Sequence, residues 1–371
     1  MSRVKFGDVV KDVKINIDRL NNPYEYYVAG DNMDSEDLTI HRKGCFTTDD
    51  VGPAFIRVFK PGQILYGSRR TYLKKIAVAD FEGVCANTTF VFETKDPHAF
   101  EQRLLPFIML SKDFTTWSIA KSKGSTNPYV LFSDLADFEF ELPPLEEQKV
   151  LVDKLWAAYR LKEAYKKLLV ATDEMVKSQF IEMFKDLPVN GTISDLTEGA
   201  PTSVKKIYGY EDMIEYIDIS SIDSTSKTVL ETSKHFVGKA PSRAQQCVKN
   251  GDILVSTVRP VNRNIAVIDN DIHNLVASTG FCVLRPKEGY RDYLLSVVTS
   301  DLYTEKMCDK ASGGLYPAVN NSDVLNYGIH IPDEGLANRV SIIYKQADKS
   351  KFELKQCIEN IDKVIKSLIN G

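Results

Sequence analysis

Arginine, lysine, serine and threonine crowd into two short stretches of the first half of the chain. One is Ser68-Arg69-Arg70-Thr71-Tyr72 with Lys74-Lys75, the other Lys121-Ser122-Lys123-Gly124-Ser125-Thr126-Asn127. Cations beside hydroxyls and glycine-exposed N–H groups suit phosphate oxygens, and Arg or Asn near an aromatic suits base edges. The same types return in Ser256-Thr257-Val258-Arg259-Pro260-Val261-Asn262-Arg263-Asn264 and in Lys310-Ala311-Ser312-Gly313-Gly314-Leu315-Tyr316. A single loop of this kind reads as a solvated turn. Two pairs at matching positions, with side chains that differ between copies, read as two related nucleic-acid surfaces for different targets. The candidate contacts are Arg69, Arg70, Tyr72, Lys74, Lys121, Lys123, Ser125, Thr126 and Asn127 in the first copy. In the second they are Arg259, Asn262, Arg263, Ser312 and Tyr316.

Other chemistry is missing. His41, His98, His235, His273 and His330 stand in no metal-ligand spacing, and there is no HExxH, GxGxxG, GxxxxGK[ST] or GxSxG. Asn22-Pro23-Tyr24 and Asn127-Pro128-Tyr129 lack the second proline of the Asn-Pro-Pro-Tyr loop that holds a flipped base in amino-methyltransferases, so the first reads as a turn and the second as part of a repeated Gly-x-x-x-Pro loop. No catalytic residue, metal or cofactor is expected. The net charge of −4 gives no global argument for nucleic acid, which leaves it to the local clusters.

The loops need elements to hold them. Strand candidates are 25–30, 63–66, 76–78 and 89–92, and a helical stretch runs from about His98 to Ala120. From Leu145 to Phe184 there is neither Gly nor Pro, and apolar residues recur at three- and four-residue steps, which predicts one helix of about 60 Å. The order of elements then repeats at a fixed offset of 189, as from Tyr27 to Tyr216, Arg70 to Arg259 and Ser133-Asp134 to Ser322-Asp323. An offset held over a hundred residues is a duplication. A second apolar-periodic run, Leu336 to Ile369, supplies the long helix with a partner of its own kind. The expected plan is a mixed α/β (α+β) chain: globular domains at 1–142 and 188–332, and two long antiparallel coiled-coil-like helices at 143–187 and 333–371. Lys162, Thr172 and Lys351 interrupt the apolar seam. Hydrophobic content of 43% and charged content of 26% are ordinary for a globular protein. Six scattered cysteines, no CxxC pair, no signal-peptide core and no membrane-length apolar run point to a cytoplasmic protein.

Several features together resemble the specificity subunits of type I restriction–modification systems, over essentially the whole length. They are Leu142-Pro143-Pro144-Leu145-Glu146-Glu147-Gln148 opening a long helix, the strands Gly62-Gln63-Ile64-Leu65 and Gly251-Asp252-Ile253-Leu254, the Gly124-Ser125-Thr126 loop, and the two-fold domain–helix repeat. The resemblance implies two target-recognition domains, each reading half of a split double-stranded DNA target. It also implies helices that act as spacer and as docking site for two methyltransferase subunits, and a restriction (translocase/nuclease) subunit in the complete enzyme. The second copy departs from the pattern, with Ile331-Pro332-Asp333-Glu334-Gly335-Leu336-Ala337 opposite the first helix start and Gly313-Gly314-Leu315 opposite Gly-Ser-Thr. Half-sites read from one face should lie about 34 Å apart. From the residues alone, a single-chain DNA-modifying enzyme and a helical scaffold without DNA remain the alternatives.

Overall fold

The computed structural model describes residues 2–18, 21–269 and 272–370. Residues up to Lys166, with those from Lys355 onward, form one compact unit, and Lys167–Leu354 form another. Each unit therefore takes the first part of one long helix and the last part of the other, or the reverse.

In the first unit Ile64–Gly67 lies between Ile76–Val78 and Thr89–Thr94, antiparallel to both, and Val10–Asp12 extends the sheet. Side chains alternate across a strand, and here both faces are covered. Ile64 and Tyr66 enter an aromatic core with Phe6, Phe92 and Phe114, while Leu65 enters a second core with Val28, Ala77 and Cys85. A second four-stranded sheet, in which Tyr26–Val28 runs parallel to Gly83–Ala86, lines that second core. The pair Ser2–Lys5 and Glu139–Leu142 closes the domain just before the long helix.

The second unit repeats the plan. Ile253–Ser256 pairs with Ile265–Val267 and Phe281–Leu284, and Met213–Ile217 runs parallel to Leu275–Ser278. The hairpins share their register: Ile64 faces Val78 and Ile253 faces Val267. The turns that lead into them match as well. Gly62 and Gly251 have φ of 85° and 89°, and the next side chain caps backward, Gln63 Oε1 accepting from Lys60 N–H (2.7 Å) and Asp252 Oδ2 from Lys249 N–H (3.0 Å).

The helical stretch expected from His98 to Ala120 is broken into a short turn at Gln102–Leu104 and helices at Leu105–Leu110 and Lys112–Ala120. The break is at Ser111, whose hydroxyl accepts from Phe114 N–H (3.2 Å) and restarts the helix. Ser300 does the same for Tyr303 N–H, also at 3.2 Å, between Arg291–Thr299 and Asp301–Lys310.

The long helices run Leu145–Phe184 and Glu334–Asn370. In the first unit Val152, Leu155 and Tyr159 join Ile365 in the aromatic core; in the second, Phe180 and Phe184 pack on Tyr293. Two of the seam interruptions are ion pairs. Lys162 Nζ lies 2.6 Å from Asp362 Oδ1 in the first unit, and Lys351 Nζ lies 3.0 Å from Asp173 Oδ1 in the second. Lys162 and Lys351 are repeat equivalents, as are Asp173 and Asp362, so each unit makes the same bond with the helices exchanged. The starts differ. Gln148 is fully buried, accepting from Glu101 N–H (2.8 Å) and donating to Ala99 O (3.0 Å) and Pro143 O (2.7 Å). The second helix has buried Ala337 at that position, and Asp333 caps Leu336 N–H at 2.7 Å. Among the described residues no helix is long and apolar enough to cross a membrane, and the six cysteines are free.

Candidate nucleic-acid interface

The two loops of each sequence pair come together within their own domain. The first loop of each pair is a single 3-10 turn framed by left-handed residues. Arg70 and Lys74 (φ 51° and 48°) frame Thr71–Leu73, and Arg259 and Arg263 (φ 49° and 50°) frame Pro260–Asn262. A left-handed residue bearing a Cβ costs about 1–2 kcal/mol, and such strain persists only where the surroundings impose it. The second loop imposes it here. Arg70 N–H donates to Pro128 O (2.6 Å) and Arg259 N–H to Pro317 O (2.7 Å). Val130 N–H donates to Ser68 O and Val319 N–H to Thr257 O, each at 2.9 Å. The second loops are closed by reciprocal backbone bonds, Lys123 with Tyr129 (2.8 and 2.9 Å) and Ser312 with Ala318 (3.0 and 2.9 Å). Gly124 and Gly313 take φ of 91° and 106°. Each domain thus presents a two-loop platform with the same backbone.

The side chains on the platforms differ. In the first domain Arg69, Arg70 and Tyr72 are exposed, and no described side chain pairs with either guanidinium. Ser125, Thr126 and Asn127 form an exposed polar tip. Lys121 Nζ sits 4.7 Å over the Trp117 ring. Lys123 lies 2.9 Å from Asp134, and its hydrogen bond pulls that carboxyl below its ordinary range. The hydroxyls of Thr71 and Ser122, 2.9 Å apart, join the two loops. Lys74 is turned to other work: its ammonium is 2.5 Å from Glu36, and both line a groove of about 350 Å³ with Lys112, Lys162 and Asp362. The bond to Lys74 lowers the Glu36 pKa against the opposing effect of burial.

In the second domain Asn262, Ser312 and Tyr316 are exposed, and so is Arg259. The Arg259 guanidinium lies 4.6 Å over the Tyr316 ring, and its Nη2 donates to Leu315 O (3.2 Å). Arg263 is bound to Asp301 at 2.6 Å. Asp323, the equivalent of Asp134, takes Lys310 at 3.8 Å. Each platform therefore has one acidic anchor that sequence reasoning about cations passed over. The repeated Ser-Asp at 133–134 and 322–323 was its signal.

One acidic cluster lies apart from the platforms. Asp37, His41 and Glu163 bring ligand atoms within 4.8 Å of one another, but Lys166 already supplies the cation, 2.8 Å from Asp37 Oδ2 and 2.8 Å from Glu163 Oε1. Burial alone would raise the Asp37 pKa. Hydrogen bonds from Lys166, from Tyr159 (2.6 Å) and from Thr39 N–H (2.9 Å) outweigh it and hold the carboxyl well below the usual range. Tyr159 also accepts from Leu38 N–H (2.8 Å), so the cluster ties the long helix to its domain.

Residues 13–169 match the family model of the type I restriction modification DNA specificity domain. Over 174 residues the chain is 26% identical to the type I restriction enzyme HindI specificity subunit of Haemophilus influenzae, a match covering 46% of this chain and 38% of that one. The chain thus spans well under two thirds of that relative. In fold it is similar to a chain from a structure described as the basis of complex assembly and conformational transition of the type I R-M system: TM-score 0.58, 19% identity, covering 99% of this chain and 96% of that one. The type I restriction–modification S subunit of M. genitalium is similar too, with TM-score 0.53, 14% identity and coverage of 99% and 95%. The family resemblance read from the sequence holds, as does the mixed α/β plan.

Proposed function

We propose that this chain is a non-catalytic specificity subunit of a type I restriction–modification complex. It reads a bipartite, asymmetric double-stranded DNA target and docks two methyltransferase subunits, and a restriction (translocase/nuclease) subunit joins where one exists. One observation carries the proposal above the others: two platforms of identical backbone, each framed by left-handed cationic residues, bear different polar side chains. One scaffold with two faces suits two unlike half-sites. Arg69 and Arg70 with Lys121 in the first domain, and Arg259 with Asn262 and Ser312 in the second, bind phosphates and a few base edges. Domains 1–142 and 188–332 do the reading, and the helices at 143–187 and 333–371 set the spacer and receive the methyltransferases. Leu161 and Val170 on the first helix and Phe352 on the second are exposed apolar side chains suited to that contact. Gln148 is not one of them, because all its bonds are internal. Base flipping and methyl transfer belong to the partners, in the cytoplasm.

The test is genome-wide mapping of modified bases in cells with and without this chain. Loss of one split motif is expected on deletion, and an unchanged methylome contradicts the proposal. Seven residues inserted at equivalent points of both helices add about 10 Å, or roughly three base pairs, to the spacer while the half-sites stay the same. An unchanged spacer sinks the ruler role.

A further inference from the structure

We propose that the second domain inserts an apolar wedge, Leu315 with Tyr316, at a base step of its half-site, whereas the equivalent loop tip of the first domain is polar and inserts nothing. The inference rests on the DNA-reading function proposed above. Leu315, 85% exposed, is the most exposed large apolar side chain among the described residues, and the neighbouring Tyr316 is 69% exposed. Isolated exposed apolar residues are ordinary, but this pair is held in place. The Ser312–Ala318 bonds close the loop beneath it. Gly313 permits the turn, with a left-handed φ and the Tyr316 carbonyl oxygen 3.1 Å from where a Cβ would stand. Arg259 grips the Leu315 carbonyl and lies over the Tyr316 ring. A stiff loop that offers leucine and an aromatic ring to water, with a cation at its base, has the parts of an intercalating side chain. The apolar tip enters between bases, the ring stacks, and the arginine meets the phosphates at the opened step.

At the equivalent positions the first domain has Thr126 and Asn127, which can bond base edges but cannot unstack a step. Of the exposed rings of that domain, Tyr72 stands on the other loop, and Tyr129 stands at the closing bonds of this loop rather than at its tip. The half-site of the second domain should then contain a pyrimidine–purine step, the kind most cheaply kinked.

The experiment uses the full chain in complex with its methyltransferase subunits. The probes are duplexes carrying the mapped target, with 2-aminopurine placed singly at positions other than the methylated bases, their pairing partners and their stacked neighbours. Binding should raise the fluorescence about threefold at one step of the second half-site and nowhere in the first. The double variant Leu315→Ser/Tyr316→Ser should lose that rise. The reciprocal variant Thr126→Leu/Asn127→Tyr should create one in the first half-site. A wild-type complex that binds the duplex without any rise overturns the wedge, and so does a double variant that keeps it. If the double variant keeps the rise but loses its methyltransferase subunits, the patch is a protein contact and the wedge is wrong. Failure of the wild-type complex to bind the mapped duplex at all would instead overturn the DNA-reading function.

Discussion

At the turn leading into the central strand, the first domain uses Gln63 and the second Asp252, and each side chain accepts the N–H three residues back. Their outward partners are exchanged. Gln63 donates to Glu93 at 2.6 Å, while Asp252 accepts from Nε and Nη2 of Arg285 at 2.9 and 2.8 Å. The platforms behave likewise. Asp134 is held by Lys123 and Asp323 by Lys310, and the residue framing the far side of the turn bonds Glu36 in one domain and Asp301 in the other. What the repeat keeps is the backbone hydrogen-bond pattern and the left-handed positions. Side-chain identity is free, provided each buried polar atom finds some partner. Under the proposed function, such a scaffold can change the sequence it reads without changing its fold.

The comparison is most easily broken at the turn before the central strand. Asp252→Ala leaves Arg285, largely buried, without its acceptors and should cost about 3 kcal/mol or more in urea unfolding. Gln63→Ala loses one neutral bond and one to the Glu93 carboxylate, which keeps Lys11 as its partner, and should cost about 1–2 kcal/mol. Equal losses would mean that Gln63 and Asp252 do not hold their turns in these different ways. Asp37 comes next. Its folded pKa lies below the unfolded one, so its stabilisation is present above an unfolded pKa of about 4 and lost as pH falls through the folded value. Asp37→Asn should be less stable by about 2 kcal/mol at pH 7, and its urea midpoint should fall less than that of the wild type on acidification below about pH 5. On the platforms, Arg70→Ala and Arg259→Ala should each weaken DNA binding about tenfold and reduce the salt slope by about one, with stability within about 0.5 kcal/mol of wild type. Arg259→Ala should weaken binding more, because Arg259 also braces Leu315. Gly124→Ala should destabilise by about 1 kcal/mol through its left-handed φ. Gly313→Ala should exceed it, since of these two glycines only Gly313 would set a Cβ hard against a backbone oxygen.

Much of this was legible in the sequence. The first long helix has the limits its Gly- and Pro-free run predicts, and the offset of 189 carries through strand register, turn geometry and both interhelical ion pairs. Less legible was what a polar residue does once buried. Lys162 and Lys351 read as flaws in an apolar seam and are ion-paired to the other helix. Gln148 read as part of the phrase that opens the long helix and is an internal clamp. Lys74 read as a DNA contact and bonds Glu36, which lies 38 residues away. Local pattern specifies the helix or turn, but the partner of a buried charge is set by the tertiary fold. Ser111 shows the opposite limit, a short-range cap that breaks an otherwise continuous helical period.

The central claim is that two equivalent platforms read two half-sites independently. Its most direct test replaces the loops at 69–74 and 123–129 with those at 258–263 and 312–318, followed by modified-base mapping in cells that also make the partner subunits. The altered chain should methylate a target changed in one half-site only, with the spacer and the other half-site retained. An unchanged target, or changes in both half-sites, would contradict the claim.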